Sequence, residues 1–239
     1  MRVLVVGGSG YVGQLVLPEI AKFHALHVFD LRPPPETVPV QGHTIGDVGD
    51  PEALRQAAEG KDILLYMAMG TYAHESTVGI VSGFDVNVKG VYLALNAAHA
   101  AGIGHAVYTS SMSVYDGPLE SRYFHDEEMP PDSIHVYGFT KRLGEEACRA
   151  AARRWGMSVN ALRLCLPTPR EKWLAKTREG VPTIATEASD VARALLAALD
   201  YRGPGFQAFM ISGDYEQKIM NMSKARRVLG WEPLARPAA

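Results

Sequence analysis

The chain has 239 residues and a formal net charge of −2, and 47% of its residues are hydrophobic. This composition is ordinary for a globular protein and provides no basic field that would attract nucleic acid. The two cysteines, Cys148 and Cys165, are too few for a disulfide framework. We expect both thiols to pack in the core, and we predict no metal site because the scattered histidines complete no ligand set.

The N-terminal segment 2–6 is apolar, but glycines follow too early for the core of a signal peptide. No apolar run in the sequence has the length of about 20 residues that a membrane-spanning helix needs. We therefore interpret segment 2–6 as the first strand, and we expect a cytoplasmic protein with no membrane partner.

Apolar runs bounded by glycine and proline predict strands at 2–6, 27–30, 62–67, 105–111, 159–166 and 206–212. Helical spacing and capping residues predict helices at 11–23, 50–60, 86–101, 137–155, 189–199 and 223–229. The alternation implies parallel strands joined by right-handed helical crossovers. The predicted class is therefore α/β, a Rossmann-like doubly wound parallel sheet. Stretches 69–85 and 115–135 lack periodicity and follow strands, so we expect them to line a ligand crevice.

We predict two parts within one compact domain. Residues 1–166 form the dinucleotide-binding part, which carries the candidate catalytic residues. Residues 167–239 form a small C-terminal substrate-binding region with a returning strand and helices.

A glycine-rich segment, 7–13, links the first predicted strand to the first predicted helix. Glycines there allow a tight turn and a close approach of the backbone to a pyrophosphate. The start of the helix offers free N–H groups and the positive end of its dipole to the same anion. The pattern predicts a dinucleotide site, whose expected contacts are Gly7, Gly10, Tyr11 and Val12.

The second strand ends at Asp30, about 20 residues beyond these glycines. A carboxylate there accepts hydrogen bonds from the adenosine ribose and repels a 2′-phosphate, which favours NAD over NADP. Arg32 leaves NADP open as the less favoured cofactor, because a nearby arginine can hold that phosphate.

The motif Tyr-x-x-x-Lys occurs at Tyr137 and Lys141. Residues four apart share a helix face, and a neighbouring ammonium favours the phenolate form of a tyrosine. Tyr137 is therefore a candidate general base for a substrate hydroxyl. Ser110 and Ser111 end an apolar strand, where a hydroxyl can bond the substrate oxygen from its other side.

With these motifs in order, the sequence resembles the extended short-chain dehydrogenase/reductase family, the NAD-dependent epimerase/dehydratase group. The resemblance covers nearly the whole chain. The matching segments are 7–13, 30, 47–48, 87–90, 110–115, 137–141, 162–163, 190–194 and 223–233.

The resemblance implies that Ser111 is the catalytic hydroxyl, Tyr137 the base and Lys141 the residue that tunes it and reaches the nicotinamide ribose. It also implies a homodimer formed through the helices predicted at 86–101 and 137–155. The further positions expected at the cofactor are Asp47 and Val48 beside adenine, Met67 and Ala68 at a strand end, Asn87 near the nicotinamide half, and Ser110.

The chain departs from the family at three places. Met112 and Ser113 stand where 4,6-dehydratases carry an Asp-Glu pair, which argues against that activity. Leu166 stands where many members that act on nucleotide sugars carry an asparagine. Only about 20 residues, 167–186, separate a sheet strand from the next helix, which leaves little protein for a nucleotide diphosphate.

That short segment contains Trp173, which we interpret either as a stacking lid for a sugar or as a packing residue. Its basic residues either meet an anionic substrate or form a solvated helix face. They are Arg170, Lys172, Lys176 and Arg178.

We expect an enzyme that transfers hydride at a secondary alcohol of a sugar or sugar-acid substrate, either as an epimerase or as a dehydrogenase. The alternative is a non-catalytic dinucleotide-sensing or partner-binding protein on the same fold.

Overall fold

The computed structural model describes residues 1–178 and 183–237. In this part of the chain seven parallel strands form one sheet in the order β3-β2-β1-β4-β5-β6-β7. The strand order reverses between β1 and β4, and in open α/β sheets the ligand crevice lies at this point. The strands are β1 (Arg2–Val6), β2 (Ala25–Asp30), β3 (Gly42–Ile45), β4 (Ile63–Tyr66), β5 (His105–Ser111), β6 (Ser158–Leu164) and β7 (Phe206–Ile211).

Helices cover both faces of the sheet. They are α1 (Tyr11–Ile20), α2 (Pro51–Ala58), α3 (Thr77–Phe84), α4 (Val91–Ala100), α5 (Val136–Trp155), α6 (Arg170–Arg178) and α7 (Ala188–Asp200). Because successive side chains of a strand point to opposite faces, Val3 and Val5 of β1 pack with α1 and α7. Leu4 and Val6 pack on the other face with α2, α4 and α5. The predicted doubly wound class is confirmed.

Three elements, β3, α3 and α6, were missing from the predicted strands and helices. Strand β3 pairs with β2 over four residues, but it alternates half-buried and exposed positions and has no apolar run. Helix α3 lies inside the stretch 69–85 that lacked periodicity. Ser76 caps it by accepting the N–H of Gly79 at 3.0 Å, so its start is fixed by a polar cap rather than by an apolar stripe.

The helix predicted at 86–101 is part of a longer one. A π-helical turn, Asp85–Gly90, joins α3 to α4 without a break. The resulting helix, Thr77–Ala100, is long and apolar enough to cross a membrane by length and composition alone, which corrects the sequence-based statement that no segment has that length. Buried core helices have the same character, and α4 contributes Val91, Ala94 and Leu95 to the core.

The C-terminal part belongs to the same core as the rest. Strand β7 completes the sheet beside β6, and α7 packs against α1. Asp190 of α7 holds the C-terminal segment, since its carboxylate accepts the N–H groups of Leu234 and Ala235 at 2.9–3.0 Å. The indole of Trp231 donates to the Asp190 carbonyl at 2.9 Å. The region from residue 167 onward is thus closely integrated with the sheet, apart from residues 179–182 and 238–239, which lie outside the described residues.

Candidate active site

The glycine-rich segment forms a tight connection between β1 and α1. Gly7 has a φ of +84°, and a Cβ placed on it would lie 2.3 Å from the Cα of Ala68. A Cβ on Gly13 would lie 2.0 Å from the carbonyl oxygen of Gly8. Gly10 precedes α1, and no side chain caps the first N–H groups of that helix. These groups remain available to an anion, as a pyrophosphate requires.

Asp30 lies directly against this segment. Its Oδ2 accepts the backbone N–H of Ser9 at 2.9 Å. The Ser9 hydroxyl donates to the carbonyl of Arg32 at 2.9 Å, while the Arg32 side chain is exposed. The carboxylate that ends β2 is therefore fixed at the rim of the glycine turn, where it disfavours a nearby phosphate by charge repulsion. The glycine turn and this acid fit an NAD-type dinucleotide.

The predicted adenine-side residues follow β3. Asp47 is exposed, and its Oδ1 accepts the N–H of Gly49 at 2.7 Å. Val48 is half-buried against Gly90, where an added Cβ would lie 2.7 Å from Val48 Cγ2. On the neighbouring strand, the Met67 N–H donates to the Val6 carbonyl at 2.7 Å, and Ala68 touches Gly7. All four residues thus follow the carboxyl ends of β3 and β4, at the edge of the sheet where the ligand crevice is expected.

Tyr137 lies in the first turn of α5, beside the strand end that carries Ser111. Burial raises the pKa of the Tyr137 phenol, and a hydrogen bond with the Ser111 side chain lowers it in part. The Ser111 hydroxyl accepts the N–H of Ser113 at 3.0 Å, so its own proton points to the Tyr137 phenol oxygen or to a substrate oxygen. The structure therefore brings together the two hydroxyl groups that the sequence singled out.

A glycine that the sequence analysis overlooked allows this close approach. A Cβ on Gly138 would lie 1.9 Å from the Ser113 carbonyl oxygen and 2.3 Å from the Ser133 hydroxyl. Only a residue without a side chain lets α5 pack this tightly against the turn after β5. Gly138 directly follows Tyr137 in the motif, so its position was the available signal.

Lys141 lies one turn further along α5 and is 2% exposed. Its Nζ donates to the Thr109 carbonyl at 2.9 Å and lies 4.9 Å from the ring centroid of Tyr108. Burial lowers the pKa of this amine to about 8, while the nearby Cys148 and Glu145 oppose the shift. The ammonium thus remains the predominant form at pH 7, and it contributes a buried positive charge on the helix face of Tyr137.

Two other predicted cofactor residues have their side chains engaged by the protein. Asn87, in the π-helical turn, accepts the Gly70 N–H at 3.3 Å and donates to the Thr140 hydroxyl at 2.9 Å. The Ser110 hydroxyl donates to Glu145 at 2.7 Å. Their side chains therefore hold the walls of the crevice together, and a contact of either residue with the cofactor stays a prediction.

A buried ion pair behind the site went unnoticed in the sequence. Arg163 of β6 and Glu145 of α5 are both fully buried and form two hydrogen bonds, at 2.9 and 2.8 Å. Arg163 also donates to the Tyr115 hydroxyl at 2.6 Å and to the Glu127 carbonyl at 3.0 Å. The pair joins α5, β5, β6 and the loop after Ser111.

In the segment after β6, the described residues form the short helix α6 and its flanking stretches. Trp173 is 1% exposed and donates to the Ala185 carbonyl at 2.9 Å, so it packs in the protein rather than forming a lid. Leu166 is exposed and has a φ of +43°, an unusual conformation for this residue type. Three basic residues of α6 are exposed on its surface, and the side chain of Arg178 lies outside the described residues. These three are Arg170, Lys172 and Lys176.

Among the described residues no group of three or more His, Cys, Asp or Glu side chains is placed to hold a metal ion. Cys148 and Cys165 are free thiols, and both are buried, as expected of packing residues.

Residues 3–172 match the family model described as "NAD dependent epimerase/dehydratase family". The chain belongs to the NAD-dependent epimerase/dehydratase family. It is 34% identical over 152 residues to N-acetyl-alpha-D-glucosaminyl-diphospho-ditrans,octacis-undecaprenol 4-epimerase of Escherichia coli O157:H7, covering 62% of this chain and 43% of that protein. It is 30% identical over 198 residues to 2-alkyl-3-oxoalkanoate reductase of Stenotrophomonas maltophilia, covering 79% of this chain and 56% of that one.

The chain thus spans about half the length of the curated relatives it matches. Among solved structures, it resembles MoeE5 in complex with UDP-glucuronic acid and NAD, with a TM-score of 0.81 and 22% identity. That match covers 99% of this chain and 95% of the other, and it confirms the fold. The predicted family is confirmed as well.

Proposed function

We propose that this protein transfers hydride between NAD and a secondary alcohol of a sugar or sugar-derived substrate. The observation that carries the proposal is the contact of Ser111 with Tyr137 at the carboxyl end of β5, one helical turn from Lys141. The family supports this assignment, since the E. coli relative is named as a sugar epimerase and the MoeE5 structure holds NAD.

In this proposal Tyr137 is the general base, and it takes the proton of the substrate hydroxyl onto its phenolic oxygen. The buried Lys141 ammonium favours the phenolate by its charge. Ser111 orients the substrate, because its hydroxyl is fixed by the Ser113 N–H and can turn its proton from the Tyr137 phenol to the substrate oxygen. When bound, NAD supplies the hydride acceptor at the carbon that bears this oxygen.

We assign the dinucleotide to the glycine turn, with Asp30 selecting NAD over NADP. The backbone at Gly7, Gly10, Tyr11 and Val12 meets the pyrophosphate, and the Asp30 carboxylate lies at the rim of that turn. The exposed Arg32 is the group that would accommodate a 2′-phosphate, so NADP stays the less favoured cofactor. The further proposed contacts are Asp47, Val48, Met67, Ala68, Asn87 and Ser110.

We propose a small substrate such as a free sugar or sugar acid. Within its described residues, the segment between β6 and α7 offers one short helix, and its tryptophan is used in packing. Elimination of the 4,6-dehydratase type is disfavoured because Met112 is a buried apolar side chain and Ser113 carries no carboxylate.

The test is to follow NADH formation at 340 nm with NAD and with NADP, against free sugars, uronic acids and nucleotide sugars. Steady NADH formation with one substrate identifies a dehydrogenase. Interconversion of a sugar pair seen by NMR, without net NADH, identifies an epimerase. Tyr137→Phe is expected to abolish either reaction, and full activity in that variant would refute the mechanism.

A non-catalytic dinucleotide sensor is the less favoured function, because a sensor would not need the side chains of Ser111, Tyr137 and Lys141. The sensor would bind NAD tightly and turn over none of these substrates.

We further propose a cytoplasmic homodimer that contacts neither membrane nor nucleic acid. Helices α4 and α5 carry the predicted contact, and the preceding α3 exposes Val78, Val81 and Phe84 beside them. Contact with a second copy of the chain would bury this exposed apolar face and remove it from water. Analytical ultracentrifugation of the protein and of Val81→Glu tests this: the wild type is expected to sediment as a dimer and the variant as a monomer.

A further inference from the structure

His74 stacks on the side chain that we propose as the general base. Its ring centroid lies 4.7 Å from that of Tyr137, with 25° between the ring planes. His74 belongs to segment 70–76, which leaves the sheet after β4, between the glycine turn and the strand end that carries Ser111. The imidazole therefore lies within the crevice, next to the phenol.

Segment 70–76 is tied down on both sides of His74. Before it, the Thr71 N–H donates to the Ser82 hydroxyl at 3.1 Å. After it, the Glu75 carboxylate accepts the N–H of Val136, the first residue of α5, at 3.2 Å. Helix α3 packs closely behind it, since a Cβ on Gly79 would lie 1.8 Å from the Ala73 carbonyl oxygen. The position of His74 over Tyr137 is thus set by the surrounding backbone.

The polar atoms of the His74 ring are free to meet a ligand. The ring is half-buried, and within the described residues no hydrogen bond engages either of its nitrogens. Burial lowers the pKa of His74, with Glu75 opposing the shift, so the ring is neutral at pH 7. A neutral imidazole presents one donor and one acceptor.

We propose that His74 is a substrate-contacting, specificity-determining residue of this site, which hydrogen-bonds the hydroxyl next to the reacting carbon. The inference rests on the proposed function. The imidazole lies over the face of the Tyr137 ring. A substrate whose reacting oxygen meets the Tyr137 hydroxyl carries its neighbouring hydroxyl one carbon away, on the side where this imidazole lies. A phenyl ring would stack on Tyr137 equally well. An imidazole can in addition hydrogen-bond the second hydroxyl of a vicinal diol. The chemistry selects polyhydroxylated substrates over simple alcohols.

The experiment measures kcat/KM for His74→Phe, which keeps an aromatic ring but removes the polar atoms. The two probes are the best substrate from the panel of free sugars and uronic acids, and its deoxy analogue lacking the hydroxyl next to the reacting carbon. We expect about a 10-fold loss on the sugar and no loss on the analogue, as for one hydrogen bond. His99→Phe is the matched control, because His99 also stacks on an aromatic ring, that of Trp155, at the far end of α4.

Equal loss on both probes, or no loss on either, would overturn the role of His74 while the proposed function stands. If the wild type transfers no hydride to or from any substrate of the panel, both the proposed function and the role of His74 are overturned. NMR tests the geometry without turnover, with the His74 imidazole signal assigned through His74→Gln. We expect a ring-current shift that persists in Tyr137→Phe and disappears in Tyr137→Ala; its absence in the wild type would refute the inference.

Discussion

Replacement of Arg163 by methionine is expected to be strongly destabilising. In the native protein the guanidinium bonds both oxygens of Glu145, the hydroxyl of Tyr115 and the carbonyl of Glu127. Arg163→Met leaves the Glu145 carboxylate buried with the Ser110 hydroxyl and with Arg149, whose nearest nitrogen is 3.5 Å away. Removal of one partner of a buried ion pair costs about 3–5 kcal/mol.

That cost is a large share of the total stability of a domain, which is on the order of 5–15 kcal/mol. The double variant with Glu145→Met as well removes the stranded charge and fills the space with apolar groups. We therefore expect it to be more stable than Arg163→Met alone, despite carrying one substitution more. The residual loss would come mainly from the Ser110 hydroxyl, left without its partner at a cost of about 1–3 kcal/mol. The Tyr115 hydroxyl keeps its bond to the Met129 carbonyl at 3.4 Å.

Urea unfolding at pH 7, followed by circular dichroism, measures the free energy of unfolding of the four proteins in this cycle. Arg2→Met is the matched control, because Arg2 and Asp62 form an ion pair at 2.6 Å whose side chains are 61% and 34% exposed. We expect its unfolding midpoint to equal that of the wild type within error. The reasoning is refuted if Arg163→Met costs less than about 1 kcal/mol, or if the two single losses simply add in the double variant.

Three further predictions concern the site itself. Tyr137→Phe is expected to lower kcat by at least about 100-fold with an unchanged unfolding midpoint, measured by NADH kinetics and thermal melts. Gly138→Ala is expected to cost about 1–3 kcal/mol and most of the activity, since its Cβ would lie 1.9 Å from the Ser113 carbonyl oxygen; a fully active variant would contradict this. For Lys141, the folded-state pKa of about 8 lies below the unfolded value, so the unfolded chain binds more protons and stability rises with pH above 8. Urea midpoints between pH 8 and 10 should show this rise in the wild type but not in Lys141→Met.

The elements that were predicted correctly have a strong local signal. Strands β1, β4 and β5 are apolar runs buried on both faces, and helix α2 has Asp50 as its cap with Pro51 at its first position. Strand β3 gave no such signal, because its residues are held by pairing with β2 rather than by burial. Helix α3 also gave no such signal, because its apolar residues face outward while its glycines face the core.

For the candidate site, the motif spacing predicted which residues meet but not what holds them in place. Ser111 and Tyr137 were found from the sequence because each has a recognisable position on a strand or helix. The bonds of Arg163 to Glu145 and the stacking of His74 on Tyr137 join residues 18 and 63 positions apart. Such contacts depend on how the sheet is assembled, and no local pattern encodes them.

The polar groups around Tyr137 explain why its position is costly to maintain. Lys141 is buried with a single described hydrogen bond, and its depressed pKa shows that the protein stabilises the ammonium less well than water does. A methionine there would remove this cost, so the amine does not serve stability at this position. The proposed proton transfer gives the amine a role, since a buried positive charge one helical turn from Tyr137 favours the ionised tyrosine. The buried Lys141 amine thus lowers the free energy of unfolding below pH 8, and the catalytic role proposed for the Tyr137–Lys141 pair accounts for this loss.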